Sequence, residues 1–134
     1  MSENAEKAIK LREQGYNCAQ AIVCTYCDRL GMDHEAAYRI SEGFGLGMGI
    51  MDMCGALTGA FMLAGCKQSG GSDHPGETKA QTYQVTKAMA AAFREKNGTW
   101  LCKELKGVED GKVRRSCPDC IRDACELIEQ HIIA

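Results

Sequence analysis

This sequence of 134 residues has few aromatic residues, few prolines and no excess of one charge. Only 6% of its residues are aromatic and proline occurs twice. Long stretches without proline leave helices uninterrupted and favour an all-α fold. The formal net charge is −2, with basic and acidic residues interspersed. Because no basic patch is present, nucleic acid is not expected as a partner. No strand pattern, internal repeat or domain linker is recognisable.

The sequence also lacks several signals of location and catalysis. Residues 1–7 contain no apolar signal region, so we expect a cytoplasmic protein. The apolar run 44–66 is long enough for a membrane span, but glycines break its first third and Asp52 interrupts it. It therefore favours a buried core helix. The sequence shows no Ser-His-Asp arrangement, phosphate loop or carboxylate pair.

The hydrophobic spacing predicts one domain over residues 1–134, a bundle of about six helices around a central Gly/Ala-rich helix. The predicted segments are 3–14, 18–30, 33–42, 54–66, 78–96, 100–106 and a final helix from 117. In the central helix, Gly55 and Gly59 share one face, where small residues permit close packing. That face is expected to meet either the 78–96 helix or a second copy of the chain in a homodimer.

Nine cysteines are the strongest feature of the sequence. Their odd number rules out complete internal pairing, and in a reducing cytoplasm cysteines act as core residues, metal ligands or redox groups. The four that we single out share one feature, a predicted position in the first turn of a helix: Cys18, Cys54, Cys102 and Cys117. For Cys54 the expected N-cap is Asp52. The positive end of a helix favours the reactive thiolate form.

The stretch Cys54-Gly55-Ala56-x-x-Gly59 resembles the CGAxxG signature of the C_GCAxxG_C_C family of redox-active proteins. The resemblance covers nearly the whole chain, because matching flanks surround the other three cysteines. These flanks are residues 16–20, 102–105 and 117–124, and residues 43–49 resemble the glycine-rich approach to the signature. The resemblance implies a bacterial or archaeal protein with a redox role, encoded in many cases near transporter genes. Cys24, Cys27, Cys66, Cys120 and Cys125 depart from the family pattern.

Two of these additional cysteines complete CxxC pairs. Cys24 and Cys27 lie within a predicted helix, where residues three apart have Cβ atoms about 5–6 Å apart. A disulfide needs about 3.5–4.5 Å, so we expect free thiols there. Cys117-x-x-Cys120 opens a helix, as the CxxC of thioredoxin-like proteins does, although no βαβ pattern accompanies it.

Three functions follow from these residues. The leading hypothesis is thiol–disulfide or electron-transfer chemistry, as in a thiol–disulfide oxidoreductase, with Cys54 as central thiolate and Cys18, Cys102 and Cys117 near it. The redox partner is not identified. In the alternative, the same four cysteines bind zinc or an iron–sulfur cluster. The third is a helical interaction protein associated with a transporter, in which the cysteines only pack.

Overall fold

Local capping interactions set where several of the helices begin. A computed structural model describes residues 2–133 of the chain. Four side chains accept a hydrogen bond from the backbone amide three positions further on: Ser2, Asn17, Asp33 and Ser116. Each of these caps satisfies an amide that has no acceptor within its own helix. Three of them stand where the sequence predicted helix starts, at residues 3, 18 and 117.

The described residues form seven α-helices, one for each of the seven predicted segments, so the predicted all-α fold is confirmed. The helices are α1 Glu3–Glu13, α2 Cys18–Tyr26, α3 His34–Ser41, α4 Gly55–Gln68, α5 Lys79–Asn97, α6 Cys102–Leu105 and α7 Cys117–His131. Shorter turns at Cys27–Leu30, Glu42–Phe44 and Gly47–Met51 connect some of them. Within residues 2–133 there is no β-strand, and the only β-type pairing is an isolated antiparallel bridge between Met53 and Leu101.

The core of the fold lies between α2 and α4, which pack on each other more extensively than any other pair of helices. The central Gly/Ala-rich helix is confirmed as α4, whose first six residues, 55–60, are all buried. Helices α1, α5 and α7 pack around this pair. Among residues 2–133, no helix combines the length and the hydropathy needed to cross a membrane. The apolar run 44–66 thus ends in a core helix, as predicted.

The glycine face of α4 meets a different partner from those that the sequence indicated. A methyl group added at Gly59 would lie 3.1 Å from the carbonyl oxygen of Ala19, and one at Gly55 would lie 3.3 Å from the Ala19 amide. The face therefore packs on the start of α2, within one chain, and not on α5. Since α2 covers the glycine face, a second copy of the chain cannot bind to it. The homodimer remains a prediction, for which this face cannot provide the interface.

A buried carboxylate joins α5, α7 and the loop between α6 and α7. Asp123 is 4% exposed, and its oxygens accept hydrogen bonds from Lys96 at 2.7 Å, from Asn97 at 3.2 Å and from Arg115 at 2.9 and 3.0 Å. Burial raises the pKa of Asp123, but these hydrogen bonds outweigh burial and the pKa is lowered. The network holds the Arg115 side chain in a fixed orientation.

We expect Asp123→Asn to lower the free energy of unfolding by about 2 kcal/mol, the usual worth of hydrogen bonds to a charged group. Because the folded-state pKa is lowered, the carboxylate stabilises fully above its unfolded pKa of about 3.9 and loses this effect as pH falls further. Urea unfolding at pH 7 measures the loss of stability in the variant, and urea unfolding at acid pH measures how this loss depends on pH. Glu126→Gln is the control, because Glu126 is exposed and meets Lys96 only at 3.9 Å. An equal loss in both variants would contradict the expected role of burial.

Candidate functional site

The four cysteines singled out from the sequence line one cavity of about 120 Å³. Cys18 and Cys117 are the first residues of α2 and α7, Cys102 is the first residue of α6, and Cys54 directly precedes α4. The structure thus brings together residues from four remote parts of the chain. All are free thiols. Their chemical roles remain a prediction.

A reciprocal pair of hydrogen bonds fixes Cys18. Asn17 accepts a hydrogen bond from the Gln20 amide through its Oδ1, and the Gln20 side chain accepts one from the Asn17 amide, both at 2.9 Å. The same two side chains donate to backbone carbonyls of Glu42 and Tyr38. Because these bonds tie the helix start to the α3 region, the Cys18 thiol has a fixed direction.

A short antiparallel bridge brings Cys54 beside Cys102. The Cys54 amide donates to the Trp100 carbonyl at 2.7 Å, and the Cys102 amide donates to the Asp52 carbonyl at 2.6 Å. The backbone must be extended here, so α4 begins only at Gly55 and its N-cap is Cys54. The prediction that Asp52 caps this helix is therefore wrong, since its backbone takes part in the bridge.

Cys120, to which the sequence assigned no role, belongs to the same cavity. It is 3% exposed, and its side chain interacts with that of Cys54 and lowers the pKa of Cys54. The signal that could have identified it is the CxxC spacing from Cys117 at the start of α7. Whether this thiol faces Cys54 depends on how α7 is rotated against α4, and the spacing alone does not determine this.

Cys117 and Cys18 form one pair of interacting thiols with opposite pKa shifts. The pKa of Cys117 is lowered to about 5, first by a hydrogen bond from the Cys18 thiol, and then by Arg12 and Lys106, while burial opposes the shift. The pKa of Cys18 is raised, because its proton is held in that hydrogen bond and its side chain is partly buried. At neutral pH this pair consists of a thiolate and a thiol.

Cys54 and Cys120 form a second pair whose pKa shifts also run in opposite directions. The pKa of Cys54 is lowered, first by the hydrogen bond from Cys120 and further by the amides of Ala56 and Leu57 at the start of α4, against the effect of burial. The pKa of Cys120 is raised by that hydrogen bond and by burial. The amides act as the helix dipole does, since they present positive charge to a thiolate.

Cys102 is the member of the predicted set that has no thiol partner. Burial raises its pKa more than the Lys106 cation lowers it, and it interacts with Cys54 and Cys117 only through their charges. It is therefore a neutral thiol in the cavity wall. Helix α6 has only four residues, which leaves a weak dipole to offset the cost of burial.

Three cations, Arg12, Lys106 and Arg115, also line the cavity, and its lining contains no carboxylate. Arg12 hydrogen-bonds the thiols of Cys18 and Cys117. Its Nε is buried and has no hydrogen-bond partner among the described residues. These cations were not recognised from the sequence. The available signal was a charged residue, Arg12, at three-four spacing with the apolar residues of α1.

The remaining cysteines lie outside the cavity. Burial raises the pKa of Cys24 and of Cys125 to about 11. Cys27 is also buried, and its thiol donates to the Cys24 carbonyl at 3.5 Å instead of forming a disulfide. Cys66 is exposed. The expectation of free thiols at the Cys24-x-x-Cys27 pair is confirmed.

The donor set gives a direct test of the zinc or iron–sulfur alternative. Among residues 2–133, no three or more cysteine, histidine, aspartate or glutamate side chains are grouped so that they could hold a metal ion. The largest interaction of each of these thiols is with one partner, Cys18 with Cys117 and Cys54 with Cys120. Metal binding by Cys18, Cys54, Cys102 and Cys117 therefore remains a prediction that no arrangement of the described side chains favours.

Fold and cavity together define an all-α protein in which five cysteines line one cavity. The chain matches the family model described as "Putative redox-active protein (C_GCAxxG_C_C)" over residues 16–131 and belongs to that family. The predicted resemblance is thereby confirmed, and the description of the family supports a redox role of a general kind. No curated protein and no solved structure matches the chain significantly.

Proposed function

We propose that this protein is a dithiol–disulfide redox protein with two reacting pairs, Cys18–Cys117 and Cys54–Cys120. The observation that carries the proposal is that each pair joins a cysteine of lowered pKa to one of raised pKa. Disulfide exchange needs both forms, since a thiolate attacks first and a second cysteine then resolves the mixed disulfide. A cytoplasmic location remains a prediction.

The outer pair would react with the partner. Cys117 and Cys18 are only partly buried, whereas Cys54 and Cys120 are buried. The Cys117 thiolate attacks one sulfur of a partner disulfide, and the other partner sulfur leaves as a thiolate. Cys18 then loses its proton to that thiolate and attacks the Cys117 sulfur, which releases the second partner sulfur. The partner gains two electrons, and the Cys18–Cys117 pair becomes a disulfide.

The inner pair would hold a second pair of electrons. Its thiolate, Cys54, faces Cys117 closely enough for the two charges to repel each other. Attack of Cys54 on the Cys117 sulfur breaks the Cys18–Cys117 bond, and Cys120 then displaces Cys117 to form a Cys54–Cys120 disulfide. This exchange restores the outer pair without any external reductant. An association with a transporter rests on the family resemblance alone and remains a prediction.

Thiol trapping at graded potentials, followed by peptide mapping, tests the proposal. We expect reversible formation of two disulfides, Cys18–Cys117 and Cys54–Cys120, at potentials within or below the range of about −220 to −320 mV that is typical of a glutathione-buffered cytosol. Absence of reversible oxidation, or bonds that join other cysteines in the fully oxidised protein, would contradict it. Metal analysis of anaerobically purified protein tests the alternative function in the same preparation.

Single serine variants separate the roles of Cys102 and Cys120. We expect Cys102→Ser to form both disulfides as the wild type does, because Cys102 shares no hydrogen bond with another thiol. Cys120→Ser should lose the inner disulfide completely and keep the outer one. Quantification of each disulfide peptide by mass spectrometry measures both effects. If Cys102→Ser loses the inner disulfide and Cys120→Ser retains it, the partner of Cys54 is Cys102 and not Cys120.

A further inference from the structure

The charges around the cavity do not balance in every redox state. Of the three lining cations, Arg115 is held by Asp123 through two hydrogen bonds, so its charge is offset. Arg12 and Lys106 form no ion pair with any carboxylate of residues 2–133. The groups that can offset these two cations are the thiolates of Cys117 and Cys54. In the reduced protein, thiolate forms of these two cysteines offset positive charge in the cavity.

Oxidation removes this offsetting charge. Each pair converts one thiolate and one thiol into a disulfide, with release of one proton and two electrons, so each loses one negative charge. When both disulfides have formed, Arg12 and Lys106 retain two positive charges in a small, largely enclosed space. A cation left without a counter-charge in such a space favours the entry of an anion.

We propose that the cavity binds a small inorganic oxyanion, and that it does so preferentially when the two cysteine pairs are oxidised. A volume of about 120 Å³ is sufficient for a ligand of a few non-hydrogen atoms, such as sulfate or phosphate. The buried Arg12 Nε–H lacks an acceptor among the described residues, and an oxyanion oxygen would supply one. The redox link of this proposal rests on the proposed function.

Isothermal titration calorimetry with sulfate and with phosphate at low ionic strength tests the proposal. We expect the oxidised wild type to bind at least tenfold more tightly than the reduced protein. In the oxidised protein, Arg12→Gln and Lys106→Gln should each weaken binding at least tenfold. Lys10→Gln is the matched control, because Lys10 also lies on α1 but is exposed and does not line the cavity. Equal affinity in both redox states would overturn the redox link.

A double variant separates this proposal from the proposed function. Cys54→Ser with Cys117→Ser removes both thiolates without any oxidation, so we expect the reduced variant to bind as tightly as the oxidised wild type. If this variant binds the anion and the wild type forms no disulfide, the proposed function is overturned but the anion site is supported. Mapped disulfides without anion binding by either protein would overturn the anion site alone.

The same linkage predicts a shift in potential. An anion that binds the oxidised form more tightly stabilises the disulfides, so added sulfate should make the midpoint potential more negative. For a two-electron couple, a tenfold change in the equilibrium constant corresponds to about 30 mV. A midpoint that does not move with sulfate would show that both redox forms bind it equally, and this would overturn the redox link.

Discussion

Replacement of Cys18 by alanine is expected to raise the pKa of Cys117 from its value of about 5 by one to two units. The hydrogen bond from the Cys18 thiol is the largest cause of the lowered value. A hydrogen bond to a charged group contributes about 1.5–3 kcal/mol, and one pKa unit corresponds to 1.36 kcal/mol. A rise of two units would reduce the thiolate fraction at pH 6 from about nine-tenths to about one-tenth.

The measurement is the pH dependence of Cys117 alkylation by iodoacetamide, followed on the Cys117 peptide by mass spectrometry. We expect a half-maximal rate near pH 5 in the wild type. Cys18→Ser is the matched control, because its hydroxyl can still donate to the thiolate and the midpoint should move less. Arg12→Gln should also raise the midpoint, since it removes a nearby cation. An unchanged midpoint in Cys18→Ala would show that the Cys18 thiol does not stabilise the thiolate.

The helix starts at Cys18 and Cys117 could be predicted because their causes are local. Asn17 and Ser116 each cap a helix through a bond to an amide only three residues away. Such short-range chemistry can be read directly from the chain. For the same reason the sequence placed these two cysteines correctly at the positive ends of helices, without knowledge of the fold.

The start of α4 could not be predicted in this way, because its cause is distant in sequence. The bridge between Met53 and Leu101 keeps the chain extended up to Cys54, which overrides the local preference of Asp52 as a cap. Gly59 indicated correctly that another backbone comes close. A glycine face carries no side chain that would specify its partner, so it did not identify α2.

The membership of the cavity was partly predictable. Spacing and helix position identified Cys18, Cys54, Cys102 and Cys117, whereas the place of Cys120 beside Cys54 depends on how distant helices pack. The contribution of Arg12 has the same origin, since its neighbours Cys18 and Cys117 come from other helices. Interactions between side chains of remote segments are determined by tertiary packing and not by any local sequence pattern.

The largest effect on stability is expected from Gly47→Ala, in the turn that precedes Cys54. Gly47 has a φ of +58°, which L-residues adopt at a cost of about 1–2 kcal/mol. A methyl group there would also overlap the backbone of Asp52, with its carbonyl carbon at 2.9 Å. Forced overpacking typically costs about 1–3 kcal/mol, so we expect the free energy of unfolding to fall by about 3 kcal/mol in total.

Two further glycines of this region separate the causes. Gly49 has a φ of +75° but free space around it, so Gly49→Ala should cost only about 1 kcal/mol. Gly43 has neither a positive φ nor a close neighbour, and its replacement by alanine should change stability by less than about 0.5 kcal/mol. Urea unfolding under reducing conditions gives all three values. Equal costs at Gly47 and Gly49 would show that the Asp52 backbone can move aside freely.

The same variant connects the turn to the cysteines. The Asp52 amide donates to the Gly47 carbonyl at 3.0 Å, and the Asp52 carbonyl accepts from the Cys102 amide. Displacement of Asp52 would therefore loosen the bridge that holds Cys54 at the start of α4, where two amides stabilise its thiolate. Gly47→Ala should raise the pKa of Cys54, measured by the pH dependence of its alkylation, while the more distant Gly43→Ala should not. If the Cys54 pKa is the same in both variants, the turn does not position this thiol.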